Sequence, residues 1–227
     1  MSTLAAYSAT KPRTLTRVLK AEINRLFTFL DVVLLAGSGA VRSVLIGTVA
    51  GQRLFGTPVG AATGGNTGDG GIGSIVLGTL AKKGEYLITC IATAVDGGRF
   101  AVLDPDRYAL ADALVGVAYA EPQMGFTISA GGNDYVVGDS FTITVPEGDL
   151  KYTAIDFSKV DGSQRAAGIF SVNRDAPDGV DAPAQVIAAK ALVAEQELLW
   201  PDGATAAQKA GALAELAAMD INARQLG

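Results

Sequence analysis

Apolar and polar residues come in short bursts along most of this chain, and a turn signal soon stops each burst. Asp31-Val-Val-Leu-Leu35 runs into Gly37-Ser-Gly39, and Val44-Leu-Ile-Gly-Thr-Val49 follows. Both read as buried strands separated by a tight turn. From Ile72 to Val145 the pattern is strand after strand: Ser74–Leu80, Glu85–Ile91, Arg99–Leu103, Leu114–Ala118, Phe126–Ser129 and Ser140–Val145. Lys83-Gly84, Asp96-Gly97-Gly98, Asp104-Pro105, Gly131-Gly132-Asn133-Asp134 and Gly138-Asp139 punctuate them. In the last strand Phe141, Ile143 and Val145 alternate with Thr142 and Thr144, the period of a half-buried strand. Short strands at roughly 8–12-residue spacing predict a small sandwich or barrel.

After Pro146-Glu147-Gly148 the pattern shifts. Tyr152–Asp156 and Ala166–Val172 are strand-like around the turn Asp161-Gly162-Ser163, and a loop over Asp175–Pro183 follows. Gln185–Leu199 suits either state, since alanine favours helix while Val186-Ile187 and Leu192-Val193 favour strand. The one clear helix runs from Ala206 to Met219. Thr205 and Gln208 form a capping-box pair, and Ala210, Leu213, Leu216 and Ala217 make an apolar stripe that turns polar at Asp220.

Composition sharpens this picture. Glycine supplies 28 of 227 residues, which fits many tight turns, and 49% hydrophobic against 18% charged residues excludes a disordered chain. Residues 64–73 hold six glycines in ten positions, the clearest break in the sequence. The block behind it reads as a compact all-β unit of its own, and the first thirty residues read as a separate arm. The fold class is therefore mainly β (α+β), with one C-terminal helix and a sandwich-like all-β unit.

The absences narrow the chemistry. The chain has no histidine, which removes Ser-His-Asp and Cys-His catalysis and His-ligated metals. A lone cysteine, Cys90, excludes an intrachain disulfide and reads as a small core thiol. The glycine-rich GGNTGDGG lacks the Lys-Ser/Thr of a phosphate loop and reads as a flexible turn. Asp104, Asp106 and Asp112 lack the spacing of a calcium loop and read as solvated turn carboxylates. No catalytic, cofactor or metal site is expected, so the chain is not expected to be an enzyme. A net charge of −5 argues against nucleic acid as partner. The first residues lack the apolar stretch of a signal peptide, and no run of about 18 apolar residues would span a membrane.

The arm differs from the rest. Lys11, Arg13, Arg17, Lys20 and Arg25 against Glu22 leave +4 on the first thirty residues, so the other 197 carry −9 of the total −5. Such an arm suits an acidic partner surface, and equally a solvated terminus. Thr14–Lys20 alternates loosely enough to add a strand to an offered edge. Lys11, Arg13, Thr14, Leu15, Thr16, Arg17, Val18, Leu19 and Lys20 are the candidate binding residues.

The two flanking parts resemble the lambdoid phage head-decoration protein family. Asp31-Val-Val-Leu-Leu35, Gly37-Ser-Gly39 and Val44–Val49 carry the likeness, followed by Tyr152–Asp156, Asp161-Gly162-Ser163 and Ala166–Phe170. Leu213-Ala-Glu-Leu216 and Asp220-Ile-Asn-Ala-Arg224 close it. The middle is similar to the β-rich insertion of larger decoration proteins through Lys83-Gly-Glu-Tyr86, Gly98–Asp106, Phe126-Thr-Ile128 and Val137–Val145. The resemblance thus implies an N-terminal arm (residues 1–30), a small discontinuous decoration core with the C-terminal helix (31–63 and 146–227), and an inserted all-β sandwich-like domain (64–145) that interrupts it. Arg107 departs by standing where a glycine usually follows Asp-Pro-Asp. The resemblance implies a homotrimer on the outer capsid surface of the virion, at local three-fold positions, made in the host cytoplasm. Its partners would be the major capsid protein, to which the N-terminal segment contributes a strand, and its own copies. Another virion part, tail or fibre, and a carbohydrate-binding β module are the rival readings. One tryptophan and no aromatic cluster in the sequence argue against the last.

Overall fold

A computed structural model of the chain describes residues 13–225. They form two compact units. The first holds the described chain up to Gln52, Lys151–Asp156 and the chain from Arg165 onward, and the second holds Arg53–Leu150 and Phe157–Gln164. The class is mainly β with one long helix near the C-terminus, as the strand spacing and capping box predict.

The chain enters the first unit through a helical turn, α1 (Leu15–Val18), an edge strand, β1 (Leu19–Glu22), and a second turn, α2 (Arg25–Thr28). Thr14–Lys20, read as able to add a strand to an offered edge, is here a helical turn over Leu15–Val18 and extended from Leu19. Arg13, just before the turn, and Arg17, within it, both reach the Glu197 carboxylate and hold this segment against the rest of the unit. β2 (Phe29–Leu34) follows, burying Val32 and Leu34 in alternation. The single strand expected over Val44–Val49 is two, β3 (Arg42–Val44) and β4 (Val49–Gln52). Between them Thr48 N donates to Leu45 O at 3.0 Å, and Gly47 takes φ +92°. A Cβ at Gly47 would lie 2.6 Å from the Glu197 carbonyl oxygen, so the turn needs glycine for both conformation and space.

The second unit is a sandwich. β5 (Val59–Ala62), β6 (Ile72–Leu77), β7 (Gly84–Ala94), β8 (Gly97–Leu103), β9 (Ala113–Leu114), β10 (Ala118–Ala120), β11 (Met124–Ile128) and β12 (Ser140–Val145) make two antiparallel sheets. Their orders are β5-β12-β7-β8-β9 and β10-β11-β6. Tyr86, Ile88, Phe100, Val102, Phe141 and Ile143 from the larger sheet share one core with Leu77, Met124, Phe126 and Ile128 from the smaller. The strand expected over Leu114–Ala118 is broken at Gly116, whose N–H donates to Ile128 O at 2.8 Å. The break carries the chain from one sheet to the other, so the apolar run serves two pairings rather than one. Arg107 adopts φ +66°, the conformation a glycine would take there, and its N–H closes the turn on Asp104 O at 2.8 Å.

The glycine-rich segment is tied down, contrary to its reading as a flexible turn. The Asp139 carboxylate accepts from the N–H groups of Thr67 (2.9 Å), Gly68 (2.8 Å) and Val136 (3.0 Å). Asn66 exchanges hydrogen bonds with the Ser140 backbone in both directions. The Tyr135 ring lies so close that a Cβ at Gly68 would sit 2.4 Å from its Cδ1. Burial pushes the Asp139 carboxyl up, but the three N–H groups outweigh it and hold it below its ordinary value.

The chain returns to the first unit through β13 (Tyr152–Ala154), β14 (Gly168–Phe170), β15 (Arg174–Ala176), β16 (Ala182–Ile187) and β17 (Ala191–Ala194). A closed barrel, β13-β2-β16-β14-β4, surrounds Val32, Leu34, Ala50, Phe170 and Val186. β13 lies antiparallel to β4, with Tyr152 opposite Gln52. Gln185–Leu199, open between helix and strand, becomes the end of β16, β17 and a short 3-10 turn at Glu195–Glu197. Pairing decides it: β17 is the middle strand of a sheet ordered β1-β17-β18, where β18 is Ile221–Arg224. The helix, α3 (Ala206–Ala218), starts at the expected capping box, with Gln208 N donating to Thr205 Oγ1 and Thr205 N to Gln208 Oε1. Its buried positions are Ala212 and Leu216, while Leu213 is half-buried, so the stripe is turned relative to the expected one.

Candidate interaction surface

Of the nine candidate binding residues, Lys11 lies outside the described residues. The other eight fall on α1, β1 and the residues just before them. Arg13 donates from Nε to Ile46 O at 3.0 Å and from Nη2 to Glu197 O, and Arg17 Nη2 meets Glu197 Oε1 at 2.9 Å. Both cations thus act within the chain as clamps on the Glu195–Glu197 turn. Val18 is buried, and Leu15 and Leu19 are half-buried. Thr14, Thr16, Arg17 and Lys20 face solvent, with Thr14 and Thr16 sharing a hydroxyl hydrogen bond and Lys20 Nζ donating to Thr16 O. β1 pairs with β17 on one side, and among the described residues its other edge carries no strand.

A second feature escaped sequence reasoning. Ile23, Leu26 and Phe27 are 81%, 86% and 63% exposed, an apolar knuckle projecting from one helical turn. The turn is rigidly founded. Asn24 Oδ1 accepts from Leu26 N at 2.9 Å, and Asn24 O accepts from both Phe27 N and Thr28 N at 3.0 Å. Thr28 is buried, and its carbonyl accepts from Ala188 N at 2.7 Å. Lys190 Nζ stands 5.4 Å from the Phe27 ring centre and Arg25 Cζ 5.4 Å from that of Phe29, both at cation–π distance. Beside the knuckle a groove of about 520 Å³ is lined by Glu22, Ile23, Lys190, Leu192, Asp220 and Arg224, among others. The available signal was Asn24 as a helix cap ahead of two large apolar residues. Apolar identity alone does not say which way a side chain faces.

The titratable groups of the second unit are structural. Asp104 and Asp106, read as solvated turn carboxylates, both hold Lys82 Nζ at 2.6 Å, and Asp104 is buried. Burial pushes the Asp104 carboxyl up, but Lys82, the Tyr108 N–H and Gln123 outweigh it and bring it down to about 2. Asp112 pairs instead with Arg99 at 3.5 Å. Burial pushes the Cys90 thiol up, as its core position requires. Aromatic rings do cluster, with Phe100, Tyr135 and Phe141 in mutual contact and Tyr119 stacked on Phe126, but they do so inside the core. Among the described residues no group of three or more His, Cys, Asp or Glu could hold a metal ion, and no helix is long and apolar enough to cross a membrane.

The surface, then, offers contacts and an open strand edge. Comparison with known families gives these a context: the profile of bacteriophage lambda head decoration protein D matches residues 8–221. The chain belongs to this family. The head decoration family consists of structural proteins of the phage capsid, so membership associates the chain with the head of a virion. A search of curated proteins finds no match. Two crystal structures of Xanthomonas campestris FlgL align at 20% identity with a TM-score of 0.32. In the C2 form the alignment covers 44% of this chain and 32% of FlgL, and in the H3 form 52% and 36%. The chain thus spans about a third of FlgL's length, and so slight a likeness adds nothing to the family's evidence.

Proposed function

We propose that this head decoration protein binds the outer surface of the phage head as a homotrimer at local three-fold positions, contacts the major capsid protein and stabilises the shell. The observation that carries the reading is the family match, which runs through both units rather than one. The segment Lys11–Lys20 is the proposed contact. Its exposed residues and the open edge of β1 suit the addition of a strand, in which main-chain hydrogen bonds supply affinity. Copies repeated on a lattice gain by multivalency, so each contact can be individually weak. Electron cryo-microscopy of heads assembled with and without the protein tests this. Density in threes on the outer face, and heads that withstand more heat or chelator when coated, are expected. Copies confined to tails, or heads equally robust without the protein, would overturn it.

A further inference from the structure

We propose that the apolar knuckle of Ile23, Leu26 and Phe27 seats in an apolar cleft with an acidic rim on the major capsid protein. This rests on the reading that the chain coats the head, and it names the side chains that do the gripping. Three large apolar side chains, each more than 60% exposed, lie within five residues. Single exposed apolar residues are ordinary on a protein surface, but a contiguous set marks a contact site. The knuckle is preorganised, because the Asn24 cap and the buried Thr28 fix its turn, so little order has to be gained on binding.

Charge points to the occupant. Arg25 and Lys190 flank the knuckle, each over an aromatic ring, and among the described residues neither meets a carboxylate. Elsewhere on the arm the pattern differs, since Arg13 and Arg17 share one carboxylate, that of Glu197. Among the described residues, Glu22 and Asp220 line the groove beside Lys190 but form no ion pair with it, so the two cations stay available at the edge of the apolar centre and match a cleft that is apolar inside and acidic at its edge. The capsid is the surface with which family membership associates this chain.

The test uses the full chain on empty heads of its phage prepared without it. Leu26→Ser combined with Phe27→Ser should raise the concentration for half-coating at least tenfold, at low and high salt alike. Its melting temperature should match the wild type, because both side chains are exposed. Arg25→Gln combined with Lys190→Gln should weaken coating at low salt and converge on the wild type at high salt. Wild-type affinity in the serine variant would refute the knuckle while leaving the decoration reading intact. Heads left bare by the wild-type chain would overturn that reading instead. A serine variant that loses self-association in sedimentation, yet binds heads with unchanged affinity per protomer, would assign the knuckle to contacts between copies and so overturn the proposal.

Discussion

Asp139→Ala should destabilise the second unit more than any change of similar size on its surface. The carboxylate is only 4% exposed and accepts three backbone N–H groups, those of Thr67, Gly68 and Val136. Truncation leaves the buried Gly68 N–H without a partner, at a cost of about 1–3 kcal/mol. The Thr67 and Val136 donors are only partly buried, and water recovers part of what each loses, so about 1 kcal/mol apiece is expected. The sum is about 3–5 kcal/mol. For a domain of about 100 residues that lowers the melting temperature by roughly 15 °C or more. Asp139→Asn keeps one acceptor oxygen and turns an NH2 group toward an N–H, so it should lose about half as much. Tyrosine fluorescence and far-UV circular dichroism follow this unit, and hydrogen exchange at Thr67, Gly68 and Val136 reads the three bonds directly. Trp200, the chain's one tryptophan, lies in the first unit, and its transition should shift by less. An alanine variant within 1 kcal/mol of the wild type would refute the reasoning, and the glycine-rich loop would then owe its place to the Asn66–Ser140 hydrogen bonds and the Tyr135 ring.

Two further outcomes concern the helix and acid stability. Leu216→Ala should cost about 2–5 kcal/mol and Leu213→Ala only about 1, since Leu216 is buried and Leu213 half-buried; equal losses by Trp200 fluorescence would restore the stripe expected from the sequence. Asp104, held down at about 2, contributes stability in full above the ordinary carboxylate value near 4 and loses it as pH falls through 2, so Asp104→Asn should flatten the acid limb of unfolding between roughly pH 4 and 2, and an unchanged limb would count against the Lys82 pairing.

Local rules carried the reading where local rules decide. The Thr205–Gln208 box fixed the start of α3 because capping is settled within four residues. The alternation of Phe141, Ile143 and Val145 placed β12 because one face of it meets a core. Gly47 and Gly116 interrupt apolar runs that look continuous, and the breaks depend on distant partners, the Glu197 carbonyl in one case and Ile128 in the other. Gln185–Leu199 stayed open since helix and strand propensities cancel, and only the neighbours β1 and β18 choose between them. The arm's charges were legible, but their engagement was not. Glu197 stands 180 residues from Arg17, beyond the reach of any pattern. The knuckle was hidden for the opposite reason, because an exposed Leu26 and a buried Leu34 look alike in a sequence.

The facing pair Gln52 and Tyr152 has a consequence for how the barrel forms. The polypeptide leaves the barrel at one of these residues and re-enters at the other, with roughly a hundred residues between them. Were that excursion still unfolded, zipping β4 to β13 would mean closing a long slack loop, a penalty about 3 kcal/mol beyond that of a tight hairpin. Once the sandwich has condensed, its own two ends are held and the slack is gone. The insertion then behaves as a knot tied in the thread before the seam is sewn. A lesion deep in the sandwich should therefore register as slower refolding of a barrel whose contacts it never touches.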